Sequence, residues 1–125
     1  MAHILIADDE IGLAHLTAAH CRIWGHSSAI AADGEEALEL IGRECFDLVL
    51  LDALMPYMDG PVVARWLRAC AVNRHLPIIG LAARGCGQAA MLREAGVTVV
   101  VEKPFQIEEL RLAIERVLGI ERRAS

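Results

Sequence analysis

The chain is poor in aromatic residues: two Trp, two Phe and one Tyr account for 4% of its 125 residues. Platforms of stacked aromatics interleaved with cations, of the kind that hold single-stranded nucleic acid, are therefore not available. A basic stripe is also missing. Lys and Arg number 12 against 17 Asp and Glu, for a formal charge of −5, the wrong sign for a surface that binds a phosphate backbone. No nucleic-acid partner is expected. The four cysteines, Cys21, Cys45, Cys70 and Cys86, form no C-x-x-C pair; neither a zinc site nor a disulfide framework is suggested, and reduced, mostly buried thiols are expected. His3, His15, His20, His26 and His75 are dispersed without metal-ligand spacing and read as structural. No apolar run approaches the length of a membrane span. Met1 is followed at once by a strand-like run with neither a basic segment nor a cleavage site, so no leader is expected. These absences together predict a cytoplasmic protein with no membrane partner.

What the chain has in abundance is apolar residues, 55% of the total, enough for one domain whose sheet is covered on both faces. The unbroken run Leu48-Val49-Leu50-Leu51 ends in Asp52, just before the turn-forming Pro56 and Asp59-Gly60. A run buried on both faces marks a central parallel strand, and in open α/β sheets ligands bind at the carboxyl ends of strands. Asp52 is thus placed for chemistry, whereas Asp59 reads as a helix cap.

The same grammar repeats along the chain. Residues 3–7 form a strand stopped by Asp8-Asp9-Glu10, and Leu13, Leu16, Ile23 and Trp24, with His20 between them, stand near helical spacing before Gly25. A weaker strand over 26–31 turns at Asp33-Gly34 into a helix over 35–43 with Ala37, Leu38 and Ile41 inward. Pro61 opens a helix with Val62, Val63, Trp66, Leu67 and Cys70 on its apolar side. A strand over 77–81 precedes a glycine-containing loop and a helix over 88–95. A valine-rich strand over 97–101 ends in Glu102-Lys103-Pro104, and a last helix over 106–118 turns Ile107, Leu110, Ile114, Val117 and Leu118 to the sheet. A polar tail follows at 121–125. Five strands alternating with five helices predict an α/β fold with a doubly wound five-stranded parallel sheet. Its carboxyl edge then collects Asp8, Asp9, Asp52 and Lys103, with Ala82 ending the fourth strand.

Five motifs in order resemble the receiver domain of bacterial two-component response regulators over essentially the whole chain: Ile-Ala-Asp-Asp-Glu at 6–10, Ala-Asp-Gly-Glu-Glu-Ala-Leu at 32–38, Asp-x-x-Met-Pro-x-Met-Asp-Gly at 52–60, Pro-Ile-Ile at 77–79 and Lys-Pro-Phe at 103–105. The resemblance implies a flavodoxin-like (βα)5 domain over 1–119 with strand order 2-1-3-4-5. It implies that Asp52 accepts a phosphoryl group, that Asp8, Asp9, Asp52 and the main-chain carbonyl of Leu54 hold Mg²⁺, and that Lys103 pairs with the acceptor and then the phosphoryl group. A cis peptide before Pro104 would aim that lysine. The chemistry agrees: crowded carboxylates resist joint ionisation, an all-oxygen site suits Mg²⁺, and phosphoryl transfer needs a nucleophile with positive charge on the equatorial oxygens.

The chain departs from the family at two switch positions. Ala82 stands where the family usually places Thr or Ser, and Val100 where it commonly places Tyr or Phe. The backbone N–H of Ala83 is left as a donor to a phosphoryl oxygen, and the partner surface is expected to be largely preformed. Leu54 and Arg84 occupy the places that influence how fast the phosphoryl group is lost. Cys86, alone in its loop, reads as inert.

The leading expectation is a stand-alone phospho-acceptor of a phosphorelay, loaded by a sensor histidine kinase or histidine phosphotransfer protein. It would signal to a downstream protein, or to a second copy, through the fourth helix, fifth strand and fifth helix. It would be no enzyme beyond its own phosphorylation and dephosphorylation. Two alternatives remain: a pseudo-receiver that acts as a phosphorylation-independent interaction module, and a Mg²⁺-dependent phosphatase of the haloacid-dehalogenase type. The second is disfavoured because Leu54 stands where that family wants an Asp. A nucleotide-binding role is disfavoured because no Gly-rich loop follows the first strand.

Overall fold

The computed structural model describes residues 1–120, and the polar tail expected over 121–125 lies outside the described residues. The elements alternate: β1 (His3–Ala7), α1 (Ile11–Ile23), β2 (Ser27–Ala31), α2 (Gly34–Arg43), β3 (Leu48–Asp52), α3 (Gly60–Ala69), β4 (Ile78–Ala83), α4 (Gln88–Glu94), β5 (Val99–Lys103) and α5 (Ile107–Leu118). All strand pairs are parallel and the order is β2-β1-β3-β4-β5, as the resemblance implied.

Side-chain alternation along the central strands divides the core in two. Ile4, Ile6, Leu48, Leu50, Ile79 and Leu81 pack on one face with Ala14 and Cys21 of α1 and Leu110 and Ile114 of α5. Leu5, Val49, Leu51 and Ile78 pack on the other face with Ala37 of α2 and Val63, Ala64 and Leu67 of α3. With both sides covered, β3 is fully buried over its length, Asp52 included.

The helices begin where side chains can satisfy free backbone donors. Asp33 Oδ1 accepts the Glu36 N–H at 2.8 Å and Asp59 Oδ1 accepts the Val62 N–H at 3.2 Å, so Asp59 is the cap that its context suggested. Gln106 and Glu109 form a reciprocal capping box on α5.

Several helix faces differ from expectation. The buried residues of α1 are Ala14, Thr17 and Cys21, while Leu16 and Ile23 are 55% and 76% exposed. Small side chains seat the helix on the sheet and its large ones point out. Trp66 and Cys70 of the predicted apolar side of α3 are likewise exposed. Of the cysteines only Cys21 is buried, where desolvation pushes its thiol up to about 11; Cys45, Cys70 and Cys86 are exposed. The fifth strand starts at Val99 rather than 97, because Thr98 is used instead to tie the β4 entrance: its N–H donates to Ile78 O at 2.8 Å and its Oγ1 accepts the Ile78 N–H at 3.0 Å. α4, apolar in composition, buries only Leu92 and leaves Met91 52% exposed.

One glycine holds the loop beyond β3 in place. The Gly60 N–H donates to Ala53 O at 2.9 Å, and a Cβ at position 60 would run into the Asp52 carbonyl oxygen and come within 3.0 Å of Ala53 Cα. Both obstacles are backbone and cannot rotate away. Gly60→Ala is therefore expected to destabilise the protein by about 1–3 kcal/mol, read as a lowered urea midpoint. An unchanged midpoint would mean that the loop is free to move off Asp52.

Candidate functional site

The strand ends bring the charged residues together. β1 delivers Asp8 and Asp9 immediately after Ala7, β3 ends in Asp52, and β5 ends in Lys103. One carboxylate oxygen from each of Asp8, Asp9 and Asp52 lies within 4.8 Å of the others. Asp8 and Asp52 are buried, Asp9 is exposed. Lys103 Nζ donates to Asp52 Oδ1 at 3.3 Å and stands 3.9 Å from both Asp8 Oδ2 and Glu10 Oε1. The Lys103–Pro104 peptide is cis.

The backbone around these groups is fixed. Asp8 N–H donates to Ala31 O at 3.0 Å, Asp8 Oδ1 accepts the Glu10 N–H at 3.0 Å, and Ala53 N–H donates to Leu81 O at 2.9 Å. Burial pushes the Asp52 carboxyl up to about 6 from its ordinary 3.8; the Lys103 ammonium opposes this and the neighbouring Asp8 carboxylate adds to it. A cleft of about 300 Å³ opens on Asp52, lined also by Asp9, Glu10, Leu54, Ala83, Gln88 and Lys103. Three crowded oxygen donors with one cation between them form a donor set suited to a hard divalent ion.

Of the residues singled out from the sequence, Asp8, Asp9, Asp52 and Lys103 meet here, and Leu54 and Ala83 line the same cleft. Ala82 is fully buried beside Ala53 and Leu92, with Val100 packed half-buried against them. The histidines lie elsewhere: His3 meets Ser27 Oγ and Glu44 Oε1 at 2.8 Å each, and His26 Nδ1 accepts the Ala2 N–H at 3.0 Å. Two residues of the cleft have no role assigned from the sequence. Glu10, which closes the Ile-Ala-Asp-Asp-Glu motif but reads only as the stop of a strand, stands 3.9 Å from Lys103 Nζ. Gln88 accepts the Ala83 N–H on its Oε1 at 2.8 Å, so the donor expected to face a phosphoryl oxygen is engaged with α4.

Residues 4–115 match the model of the response regulator receiver domain. The chain belongs to that family. This receiver is 31% identical over 117 residues to the transcriptional regulatory protein ZraR of Escherichia coli, covering 93% of the chain and 26% of ZraR. It is 37% identical over 108 residues to the response regulator MprA of Mycolicibacterium vanbaalenii, covering 86% and 46%. The receiver thus spans less than two thirds of these relatives. Among solved structures, the receiver domain of a signal transduction histidine kinase from Syntrophus aciditrophicus superposes with a TM-score of 0.90 at 28% identity, covering 100% of this chain and 96% of that one. The receiver domain of sensor histidine kinase PA1611 from Pseudomonas aeruginosa, determined with a magnesium ion coordinated in its active-site cleft, gives 0.88 at 30% identity and covers 94% and 98%. No helix among the described residues is long and apolar enough to cross a membrane.

The raised Asp52 pKa has a stability signature in metal-free protein. A folded value above the unfolded one means that the native state holds the proton more tightly, so this contribution favours folding below about pH 4 and is lost as pH rises through about 6. With ~1.4 kcal/mol per unit the loss is at most ~3 kcal/mol. In the presence of chelator, Asp52→Asn is expected to gain stability relative to the parent between about pH 4 and pH 7, by up to that amount, as measured by urea unfolding. A pH-independent difference would show that Asp52 titrates normally.

Proposed function

We propose that this receiver is a phospho-acceptor, in which Asp52 takes a phosphoryl group from the phosphohistidine of a sensor histidine kinase or histidine phosphotransfer protein. The observation that carries this reading is the grouping of Asp8, Asp9 and Asp52 within 4.8 Å around an acceptor whose Oδ1 is 3.3 Å from Lys103 Nζ. Asp8, Asp9, Asp52 and the Leu54 carbonyl would hold Mg²⁺, which supplies positive charge to the equatorial oxygens of the transferred group. A carboxylate oxygen of Asp52 attacks phosphorus and the P–N bond to the imidazole breaks. The bonding pair stays on the imidazole nitrogen, which takes up a proton, and an acyl phosphate remains on Asp52. Lys103, already poised between Asp52 and Asp8, balances the charge gained. Water later cleaves the acyl phosphate; the exposed Leu54 lines the cleft through which it arrives.

The donor has to reach Asp52 from outside. A groove of about 480 Å³ adjoins the acceptor cleft and shares Glu10 and Lys103 with it; Leu13, Leu16, Pro104, Phe105 and Ile107 give it an apolar lining. The phosphohistidine-bearing partner seats there. The signal leaves through the α4–β5–α5 face, where Met91 and Leu112 are half exposed, to a downstream protein or a second copy. The absence of a hydroxyl at the buried Ala82 favours a second reading, an interaction module of the same fold that does not use phosphorylation.

Incubation with acetyl phosphate and Mg²⁺ followed by intact-mass measurement separates the two readings. The parent is expected to gain one acid-labile phosphoryl group and Asp52→Ala none; equal labelling of the variant, or no labelling of the parent, would overturn the acceptor assignment. Asp9→Ala is expected to weaken Mg²⁺ binding at least about tenfold, since even outer-shell partners of a metal are worth that much. A titration matching the parent would remove Asp9 from the metal site.

A further inference from the structure

The end of β4 and the start of α4 are joined by a hydrogen bond to the side chain of Gln88. Ala83, the last residue of β4, donates its N–H to Gln88 Oε1 at 2.8 Å. Gln88 is the first residue of α4 and lines the same cleft as Asp52 and Lys103. The intervening loop carries Gly85 and Gly87 at φ 79° and 78°, a backbone region that glycine enters at no steric cost. Gly87 gives α4 no side-chain cap. Further along, the helix is held by Leu92, fully buried against Gly80, where a Cβ would lie 2.7 Å from Leu92 Cδ1. α4 is therefore held by Leu92 near its end, by the half-buried Ala89 against the cluster of Ala53, Ala82 and Leu92, and by the Gln88 carboxamide at its start.

We propose that Gln88 is the positioning residue that couples the acceptor cleft to α4: a phosphoryl group on Asp52 takes the Ala83 N–H, and the Gln88 side chain is released from the end of β4. This rests on the phospho-acceptor reading above and names its regulation. The Ala83 N–H has one hydrogen to give. A charged phosphoryl oxygen accepts it in a charge-assisted bond roughly twice as strong as that to a neutral amide oxygen, so occupancy of the cleft and the Gln88 latch compete. A ligand shifts a conformational equilibrium only through an interaction that differs between the states; the exchange of acceptor at Ala83 N–H is such an interaction, and it sits on the first residue of the helix. Ala82 has no hydroxyl to do this, and Val100 no ring to report it. The route through Gln88 needs neither.

Beryllofluoride with Mg²⁺, bound to the 125-residue protein and followed by amide NMR, tests the exchange. Gln88→Met keeps the length of the side chain and removes the acceptor, and Gln88→Ala removes both. With the competitor gone, both variants are expected to bind beryllofluoride about two- to tenfold more tightly than the parent, the range set by one net hydrogen bond. In the parent, binding should move the amides of Ala83 and of residues 88–94; in the variants the shifts over 88–94 should already lie near the bound parent's before any probe is added. A purely structural role for Gln88 would leave affinity unchanged or weaker. If beryllofluoride binds the parent while both variants bind no more tightly and show the parent's full response over 88–94, the coupling assignment is overturned with the acceptor reading intact. If the probe does not bind the parent at all, the acceptor reading falls and takes this one with it.

Discussion

Burial of a carboxylate at the sheet edge is the constraint on which this site turns: desolvation acts on Asp52 more strongly than the Lys103 ammonium or the Asp8 carboxylate does. Asp8 and Asp52 are both buried at the ends of adjacent strands, with Asp9 at the rim, and a single ammonium group, that of Lys103, stands between them. Desolvation holds the Asp52 carboxyl above its ordinary range, the Lys103 ammonium opposes it, and the neighbouring Asp8 carboxylate adds to it. The parallel sheet forces these strand ends, and the carboxylates they carry, to one edge.

Holding such a cluster requires that the surrounding backbone cannot relax away from it. The β3 ladder, the Ala53–Leu81 bond and the close approach of Gly60 to the Asp52 carbonyl leave Asp52 no room to withdraw. The β4–α4 segment is different in kind. Its loop carries two left-handed glycines, α4 starts without a side-chain cap, and Leu92 is the residue it buries fully, with Ala89 half-buried beside it.

The sheet was legible in the sequence because its strands are short, continuous and buried on both faces, so that apolar runs bounded by charge or glycine mark them directly; β1 and β3 coincide with their predicted spans. The start of β5 was not, since the valine run gives no sign that Thr98 would pair with the β4 entrance instead of joining the ladder. Asp8, Asp9, Asp52 and Lys103 were readable because residue type and strand-end position agree. Glu10 and Gln88 were not: the first looks like punctuation, and the second is an ordinary helix residue whose meaning lies in a backbone hydrogen five positions earlier. Helix faces failed where volume mattered more than polarity. In α1 the residues that fit under the helix are Ala14, Thr17 and Cys21, not the large leucine and isoleucine that periodicity picks out.

That inverted α1 has an evolutionary consequence. Ile23 is 76% exposed and Leu16 and Ile11 about half exposed, and all three stand on the helix that walls the groove beside the Asp52 cleft. Exchanges at these positions leave the small residues beneath the helix untouched, so the outer surface of α1 is free to diverge without loss of the fold. A change of side chain at Leu16, the one of these that lines the groove, would alter the shape and polarity of the groove wall while the sheet and the carboxylates at its edge stayed as they are.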